Sequence, residues 1–449
     1  MKRRLLRSTL FTISASVLLL SSVALAERGP AFDLNQPTVP LSLDEAVHIA
    51  LSNSRIISEA TSKYNAAMEE KKSAFTDFLP KLSASYFYTR FSDQTFIMFD
   101  NAKIPLMSKD YHHWNLTATQ PIFSGYALYT KYQISQLNVD LKQVEKQLAI
   151  LDVTRSIKTF YFNILMAKKV LKVANEVVED LGAHVHDAEQ FYSNGYIPYN
   201  DLLQSRVALA DAVQNREKAQ SAVEMAVSNL NILLGVSINH PTQINDVTNI
   251  SPRPYSIEQL TAAALTNRPE LKALNIVLQT ADDSIRLAKR SYYPEVALVG
   301  NYERMGNDMT ASNNNYGNDH NTTVTLQAKW SIFEWGKTEA EVKKYTNEKT
   351  ALQEKFKGVE DGITLEVKNA FLSRDVAQKN IKTALASLDQ AKENFRLTKL
   401  QYQHQLATTT NILDARTFLS QAITNYYGAL YGYLICEAEL ERVTGGSLT

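Results

Sequence analysis

Cysteine is all but missing from this 449-residue sequence: Cys436 stands alone. No internal disulfide can staple the fold, and no thiolate metal site can form. Its place in a helical pattern makes Cys436 a small buried residue rather than a reactive thiol. Glycine and proline are scarce, at 15 and 12 residues. That is too few for the turns of an ordinary mixed enzyme and well suited to long, unbroken helices. Neither sign of charge dominates, with 47 Lys+Arg against 47 Asp+Glu, so no bulk attraction to nucleic acid exists and no such partner is expected. Past the N-terminal region, no apolar run reaches the roughly 20 residues of a membrane-spanning helix.

What is present starts with Lys2, Arg3, Arg4 and Arg7, an apolar stretch from Leu10 to Leu20, and Ala24-Leu25-Ala26 before Glu27. This order predicts a secretory signal peptide over residues 1–26. An uncleaved anchor is the alternative, but the apolar core is short for one. No cysteine follows the signal, so a lipid anchor is not expected. Loss of the four basic residues leaves the mature chain mildly acidic.

Self-comparison shows a duplication. Ser42-Leu43-Asp44-Glu45 and Ser256-Ile257-Glu258-Gln259 open similar segments 214 residues apart; at that offset Asn53 meets Asn267, and Phe78-Leu79-Pro80 meets Tyr292-Tyr293-Pro294. Farther on the offset is 210: Ile122-Phe123 meets Ile332-Phe333, Tyr192 meets Tyr402, Leu203 meets Leu413, Arg206 meets Arg416, and Gly235 meets Gly445. The expected organisation is an extended segment over 27–41, a first repeat over 42–239, a joint over 240–255 containing Pro241, Pro252 and Pro254, and a second repeat over 256–446. Strands are expected at about 81–122 and 295–332, and helices at 125–233 and 337–444.

The long helices carry a seam of three- and four-residue steps: Ile150, Val153, Ile157, Phe160, Ile164, Ala167, Leu171, Ala174, Val178, Leu181, Val185, Ala188 and Tyr192. Shifted by 210, the seam recurs from Val367 to Tyr402 with only Arg374 interrupting it. Such a run predicts coiled-coil packing. A helix from Arg55 to Phe78 and another from Pro198 to Leu233 together match the long helix in length. Two short helices stacked end to end therefore suit a wall about 100 Å long.

Between the helices lie short alternating runs. Val324, Leu326, Ala328, Trp330 and Ile332 oppose Thr323, Thr325, Gln327, Lys329 and Ser331; Trp114, Leu116 and Ala118 oppose Asn115, Thr117 and Thr119. Leu82, Ala84, Tyr86 and Tyr88, and Val296, Leu298 and Tyr302, supply weaker copies. Runs of about ten residues flanked by aromatics, among them Trp114, Trp330 and Trp335, suit a strand in lipid with interfacial girdles. A soluble sandwich would show the same alternation, but four strands among such long helices leave little to build one from. The segments 92–110 and 306–320 are expected as long polar outer loops. Four strands cannot close in a bilayer, so copies must complete a barrel; three copies give twelve strands and room for a passage.

With these motifs in hand, the sequence resembles the TolC family of outer-membrane efflux proteins over essentially the whole mature chain. Asn267-Arg268-Pro269-Glu270-Leu271 matches that family's Asn-x-Pro-Glu-Leu motif, while Asn53-Ser54-Arg55 lacks the proline. The aromatic-x-Pro helix stops match, as do the strand-to-helix turns Pro121-Ile122-Phe123-Ser124-Gly125 and Ile332-Phe333-Glu334-Trp335-Gly336. The resemblance implies a homotrimer with a twelve-stranded β-barrel in the outer membrane and a long α-helical coiled-coil tunnel in the periplasm. It also implies a periplasmic adaptor, or membrane fusion protein, and an inner-membrane pump of resistance-nodulation-division, ABC or major-facilitator type. The function implied is passive conduction in efflux or type I secretion. By motif position, Asp201 and Tyr402 match the latch of the periplasmic entrance, and Asn411 and Asp414 match two ring positions. Gly195, Arg206, Ala407 and Arg416 fall in the tip turns where an adaptor docks. The basic latch residue of some members is Ala407 here, so an ion pair to Asp201 is not expected.

Other readings are weaker. A periplasmic coiled-coil scaffold or adaptor would share the helices but not need the strands. A carboxylate-bridged metal enzyme would need repeated Glu-x-x-His, and Glu45-Ala46-Val47-His48 has no counterpart at Gln259. His112-His113 and His184/His186 diverge on their elements and are expected as surface residues. No phosphate loop, nucleophile elbow or zinc-spaced pair occurs, so no cofactor, metal or catalysis is expected.

Overall fold

The computed structural model describes residues 40–247 and 253–446. The expected signal peptide and nearly all of the 27–41 segment lie outside the described residues, as do residues 248–252 of the expected joint and 447–449. The elements run α1 (Leu43–Asn53), α2 (Arg55–Thr76), β1 (Lys81–Arg90), β2 (Phe96–Phe99), β3 (Ala102–Pro105), β4 (Asp110–Ser124), α3 (Ala127–Ser193) and α4 (Tyr199–Leu234), then α5 (Ile257–Asn267), α6 (Pro269–Ala288), β5 (Glu295–Gly306), β6 (His320–Lys329), α7 (Lys337–Gln403) and α8 (Thr409–Val443).

Local chemistry sets the helix ends. Ser42 and Glu45 form a reciprocal capping box at α1, with Ser42 N donating to Glu45 Oε2 at 2.8 Å and Glu45 N to Ser42 Oγ at 3.3 Å. Pro198 caps α4 from the preceding turn, and Pro269 opens α6. α4 ends at Gly235 in the left-handed conformation, φ 72°. A Cβ there would lie 2.8 Å from the Asn53 carbonyl oxygen, and one at Gly445 would lie 3.0 Å from Asn267. The repeated Gly and Asn positions thus mark two equivalent close packings of a helix end on the corner between two short helices.

α3 and α7 contain 67 residues each, about 100 Å of helix. α2 and α4 pack along α3, and α6 and α8 along α7. α3 also packs against α6 and α8, whereas α7 contacts no helix of the first half extensively. The long helix of the first half is therefore interior, and that of the second half is an edge. Near its middle, α3 buries Tyr161, Phe162 and Leu165 as well as the seam residues Ile157 and Ile164. The stripe widens beyond the expected seam because α1 and two extended segments cover a further face. Leu41 and Ile244 form a parallel bridge, and the single proton of the Tyr161 hydroxyl lies between the carbonyls of Asn245 at 2.7 Å and Leu41 at 2.9 Å. Burial holds the Tyr161 phenol up at about 12, so it remains a donor.

The main sheet has the order β1-β4-β5-β6, antiparallel throughout. It departs from the sequence expectation in two places. β6 ends at Lys329, opposite Glu295, because Pro294 offers no N–H to continue the ladder; Trp330 and Ile332 lie past the strand. The 92–110 segment is not plain loop. It contains the hairpin β2-β3, turned by Asp100 and Asn101 at φ 49° and 66°, the geometry of a two-residue primed turn.

Candidate membrane face and entrance gate

Register sorts the sheet into two chemically distinct faces. On one face Lys81, Thr119, Val299 and Thr325 align, then Ser83, Thr117, Asn301 and Thr323, then Ser85, Asn115, Glu303 and Asn321. These groups bond to one another: Thr117 Oγ1 donates to Asn301 Oδ1 at 3.0 Å, and Glu303 binds His113 at 3.2 Å and Asn321 at 3.1 Å. On the other face Leu82, Ala118, Gly300 and Val324 align, then Ala84, Leu116, Tyr302 and Thr322. His112 and His113 fall on opposite faces, as adjacent strand residues must.

Aromatic residues bracket the apolar face. Tyr86 packs on Trp114 at 4.6 Å near one end. At the other end, Tyr126 and Phe123 meet Tyr293 at 5.5 and 6.4 Å, and Phe333 meets Trp335 at 4.9 Å. Trp114 and Phe123 are nine residues apart on β4, a height of about 25 Å for a tilted strand, which equals the apolar band of an outer-membrane barrel. Trp114, Trp330 and Trp335 are all exposed, Trp335 to 90%. Among the described residues both sheet edges, β1 and β6, are unpaired, and they are solvent-exposed along nearly their whole length.

The strand-to-helix turns repeat with one informative change. Gly125 and Tyr126 are left-handed in the first half, and Trp335 and Gly336 in the second. A Cβ on Gly125 would meet the Arg290 carbonyl at 2.6 Å and the Tyr293 Cβ at 3.2 Å. Trp335 occupies the equivalent position, exposed apart from its contact with Phe333.

At the far end of the helices lie two tips, 194–198 and 404–408. Gly195 takes φ 75° in the first; its counterpart in the second, Gln405, takes φ 62°. Thr408 forms a capping box with Asn411, whose Oδ1 accepts from Thr408 N at 2.9 Å. Asn411 is thus tied to its own helix end. Asp414 is exposed and its side chain has no hydrogen-bond or ion-pair partner among the described residues. Asp201 lies in the first turn of α4, half-buried. Tyr402 is buried against His184 at 4.8 Å and Phe191 at 5.6 Å; its hydroxyl makes no hydrogen bond to Asp201. Burial raises the Tyr402 pKa against the opposing pull of the Thr409 hydroxyl, and Asp187 and Asp201 add to the rise.

The two tip arginines differ. Arg206 is exposed and pairs with Glu189 at 2.7 Å. Arg416, expected in a docking turn, is instead 3% exposed. It pairs with Asp180 of α3 at 2.9 Å and lies over Phe395 at 5.5 Å, and burial pulls its pKa down. It fastens one helical hairpin to the other and offers no surface to a partner. Ala407 is half-buried, while Tyr196 and Leu406 are the exposed apolar residues of the tips. His184, expected at the surface, is 4% exposed. The signal for its burial was in the sequence: it stands three residues after Leu181 and four before Ala188, both buried. Among the described residues no group of three or more His, Cys, Asp or Glu can hold a metal ion, and no helix is long and apolar enough to cross a membrane.

Comparison with known proteins agrees with this geometry. The alkaline protease secretion protein AprF of Pseudomonas aeruginosa is 21% identical over 428 residues, covering 92% of this chain and 86% of that protein. The outer membrane protein TolC of Escherichia coli K12 is 21% identical over 406 residues, covering 88% of this chain and 80% of that one. Among solved structures, the Campylobacter jejuni CmeC outer membrane channel superposes with a TM-score of 0.79 at 18% identity, covering 90% of this chain and 85% of that chain. The open state of the Neisseria gonorrhoeae MtrE outer membrane channel gives 0.73 at 16% identity, covering 91% and 89%. A family profile described as outer membrane efflux protein matches residues 46–236 and 260–446, and the chain belongs to that TolC-like family of outer-membrane efflux proteins.

Proposed function

We propose that three copies of this chain close into a twelve-stranded barrel in the outer membrane, continued by a helical tunnel that conducts solutes passively out of the periplasm. The supporting observation is that the contact between the two repeats leaves matching halves open on the two sides of the chain. Within the chain β4 pairs with β5, α3 packs on α6 and α8, and the Gly125 turn sits on Tyr293. Shifted by one repeat, the same contacts would join β6 to β1, α7 to α2 and α4, and the Trp335 turn to Leu79 of the neighbouring subunit. All these surfaces are exposed and apolar or unpaired: Leu365, Leu372 and Val376 on α7, Val207, Met225 and Ile232 on α4, and Phe75 and Leu79 opposite Trp335. Because strand direction alternates across four strands, β6 of one copy runs antiparallel to β1 of the next, and the ring closes without an edge. Twelve strands leave a lumen where eight would be filled by side chains.

The polar sheet face, with Glu303, Asn301 and Thr117, lines that lumen, and the apolar face meets lipid. The two repeats, 42–239 and 256–446, act as successive staves, with the 240–255 joint at the equator. The tips form the entrance. Tyr402 and Asp201 hold it closed, Asp414 supplies a carboxylate ring, and Arg206, Gly195 and Ala407 lie where a periplasmic adaptor coupled to an inner-membrane pump docks and shifts a closed-to-open equilibrium. The pump supplies the energy, so no catalytic group is needed. Single-channel recording in a planar bilayer tests this: small, cation-favouring currents are expected, and Asp414→Ala lowers cation preference by about twofold or more. A water-soluble monomer that gives no current refutes the channel; unchanged selectivity in Asp414→Ala removes Asp414 from the ring.

A further inference from the structure

Each subunit carries one buried imidazole at the place where its two helical hairpins touch. His184 on α3 approaches Ser205 Oγ on α4 through Nε2 at 3.1 Å. With the single hydroxyl proton of Ser205 on the Asp201 carbonyl at 2.9 Å, Nε2 is the donor and Ser205 Oγ the acceptor. His184 Nδ1 is then a bare lone pair, buried and without a partner, beside the Tyr402 ring of α7 at 4.8 Å. Both residues line a cavity of about 20 Å³, room for one water and for no larger ligand.

The charges around this ring come from all four helices. α3 contributes Asp187 and Asp180, α4 Asp201, α7 Lys399, and α8 Arg416. Asp180 is taken by Arg416 at 2.9 Å and Lys399 at 3.7 Å, which leaves Asp187 to favour a proton on the imidazole. Burial works against it and prevails, holding His184 below the ordinary imidazole range.

Building on the channel reading, we propose that protonation of His184 at Nδ1 releases the α7–α8 hairpin from the α3–α4 hairpin, so that mild acid on the periplasmic side favours the open entrance. An added proton places a cation in a buried site where the cost of desolvation exceeds the pull of Asp187. Opening the joint hydrates the ring, so the open form binds the proton more readily than the closed form. The closed form is therefore fully favoured above the ordinary imidazole value of about 6.5 and loses ground as pH falls below it. The joint between subunits lacks this device, because Asn394 stands at the position equivalent to His184.

The test is single-channel recording of the full-length channel with the periplasmic side taken from about pH 7.5 to about pH 5.5, a range in which ordinary carboxylates stay ionised. The open-to-closed ratio should rise several-fold and at most about tenfold, the limit set by protonation of a hydrated imidazole at the lower pH. His184→Gln, neutral throughout, should flatten the profile, with His184→Asn as a second variant should the first fail to assemble; His186→Gln, altering an exposed histidine on the same helix, should leave it intact. A flat wild-type profile, or an equal rise in the His184 variants, overturns the switch while leaving the channel standing; absence of any channel overturns both.

Discussion

Ile164 and Arg374 occupy the same depth on the two long helices, one repeat apart. Ile164 is fully buried in an apolar cluster with Val227 packed against it. At the equivalent positions the second half has Arg374 and Glu437, 2.8 Å apart. Arg374 is 4% exposed and held between the Tyr255 and Tyr433 rings at 5.1 and 5.3 Å, with Gln378 at 2.9 Å and the Tyr433 hydroxyl at 3.0 Å. The change recurs near the equator. Ser54 of the first half becomes Arg268, buried between Glu270 and Glu366, and Arg442 joins Glu270 at 3.0 Å and Asp152 at 2.9 Å. One backbone plan thus tolerates an apolar core in one copy and an ionic core in the other. The condition is that each nitrogen of the Arg374 and Arg268 guanidinium groups finds an acceptor, since an unpaired buried charge costs far more than a matched pair contributes.

That contrast is sharpest if the second half is stripped of one partner. Arg374→Ala leaves Glu437 and the Tyr433 hydroxyl facing an apolar gap and should cost about 3–5 kcal/mol, seen as a large fall in the thermal midpoint by circular dichroism. Arg374→Ile combined with Glu437→Val copies the first half and should return to within about 1.5 kcal/mol of wild type. If the double variant is as damaged as the single one, the two cores are not interchangeable.

A smaller effect separates the tips. Gln405 adopts the left-handed conformation that Gly195 supplies in the first tip, at a cost of roughly 1 kcal/mol for a side chain. Gln405→Gly should stabilise the second tip by about that amount, and Gly195→Gln should destabilise the first by as much. Hydrogen exchange across residues 400–410 and 190–200 reads the two changes separately; equal exchange in variant and parent would remove the strain from the account.

Much of this was legible in the sequence because it was written twice. The Gly235/Gly445 and Asn53/Asn267 matches survive since a Cβ at either glycine would strike the asparagine segment, and the long helices follow from seams that the two copies share. Other features were hidden for physical reasons. A seam pattern records which residues face one neighbour, whereas α3 has several, so Tyr161 and Phe162 fell outside it. The β2-β3 hairpin was signalled by Asp100-Asn101 between the apolar quartet Phe96–Phe99 and a mixed one, Ala102–Pro105, yet its polar flanks resembled loop. Arg416 resembles Arg206 in sequence context, and only the approach of Asp180 from α3 distinguishes a buried fastener from an exposed arginine.

The central claim is that the contact between subunits repeats the contact within one. A Cβ at Gly125 lies 3.2 Å from Tyr293 Cβ, close to the roughly 3.8 Å of a disulfide. In a Cys436→Ser background, Trp335→Cys combined with Leu79→Cys should therefore oxidise between neighbouring subunits in isolated membranes, giving covalent dimer and trimer bands on non-reducing gels. Monomer bands alone, with both thiols still free, would contradict it.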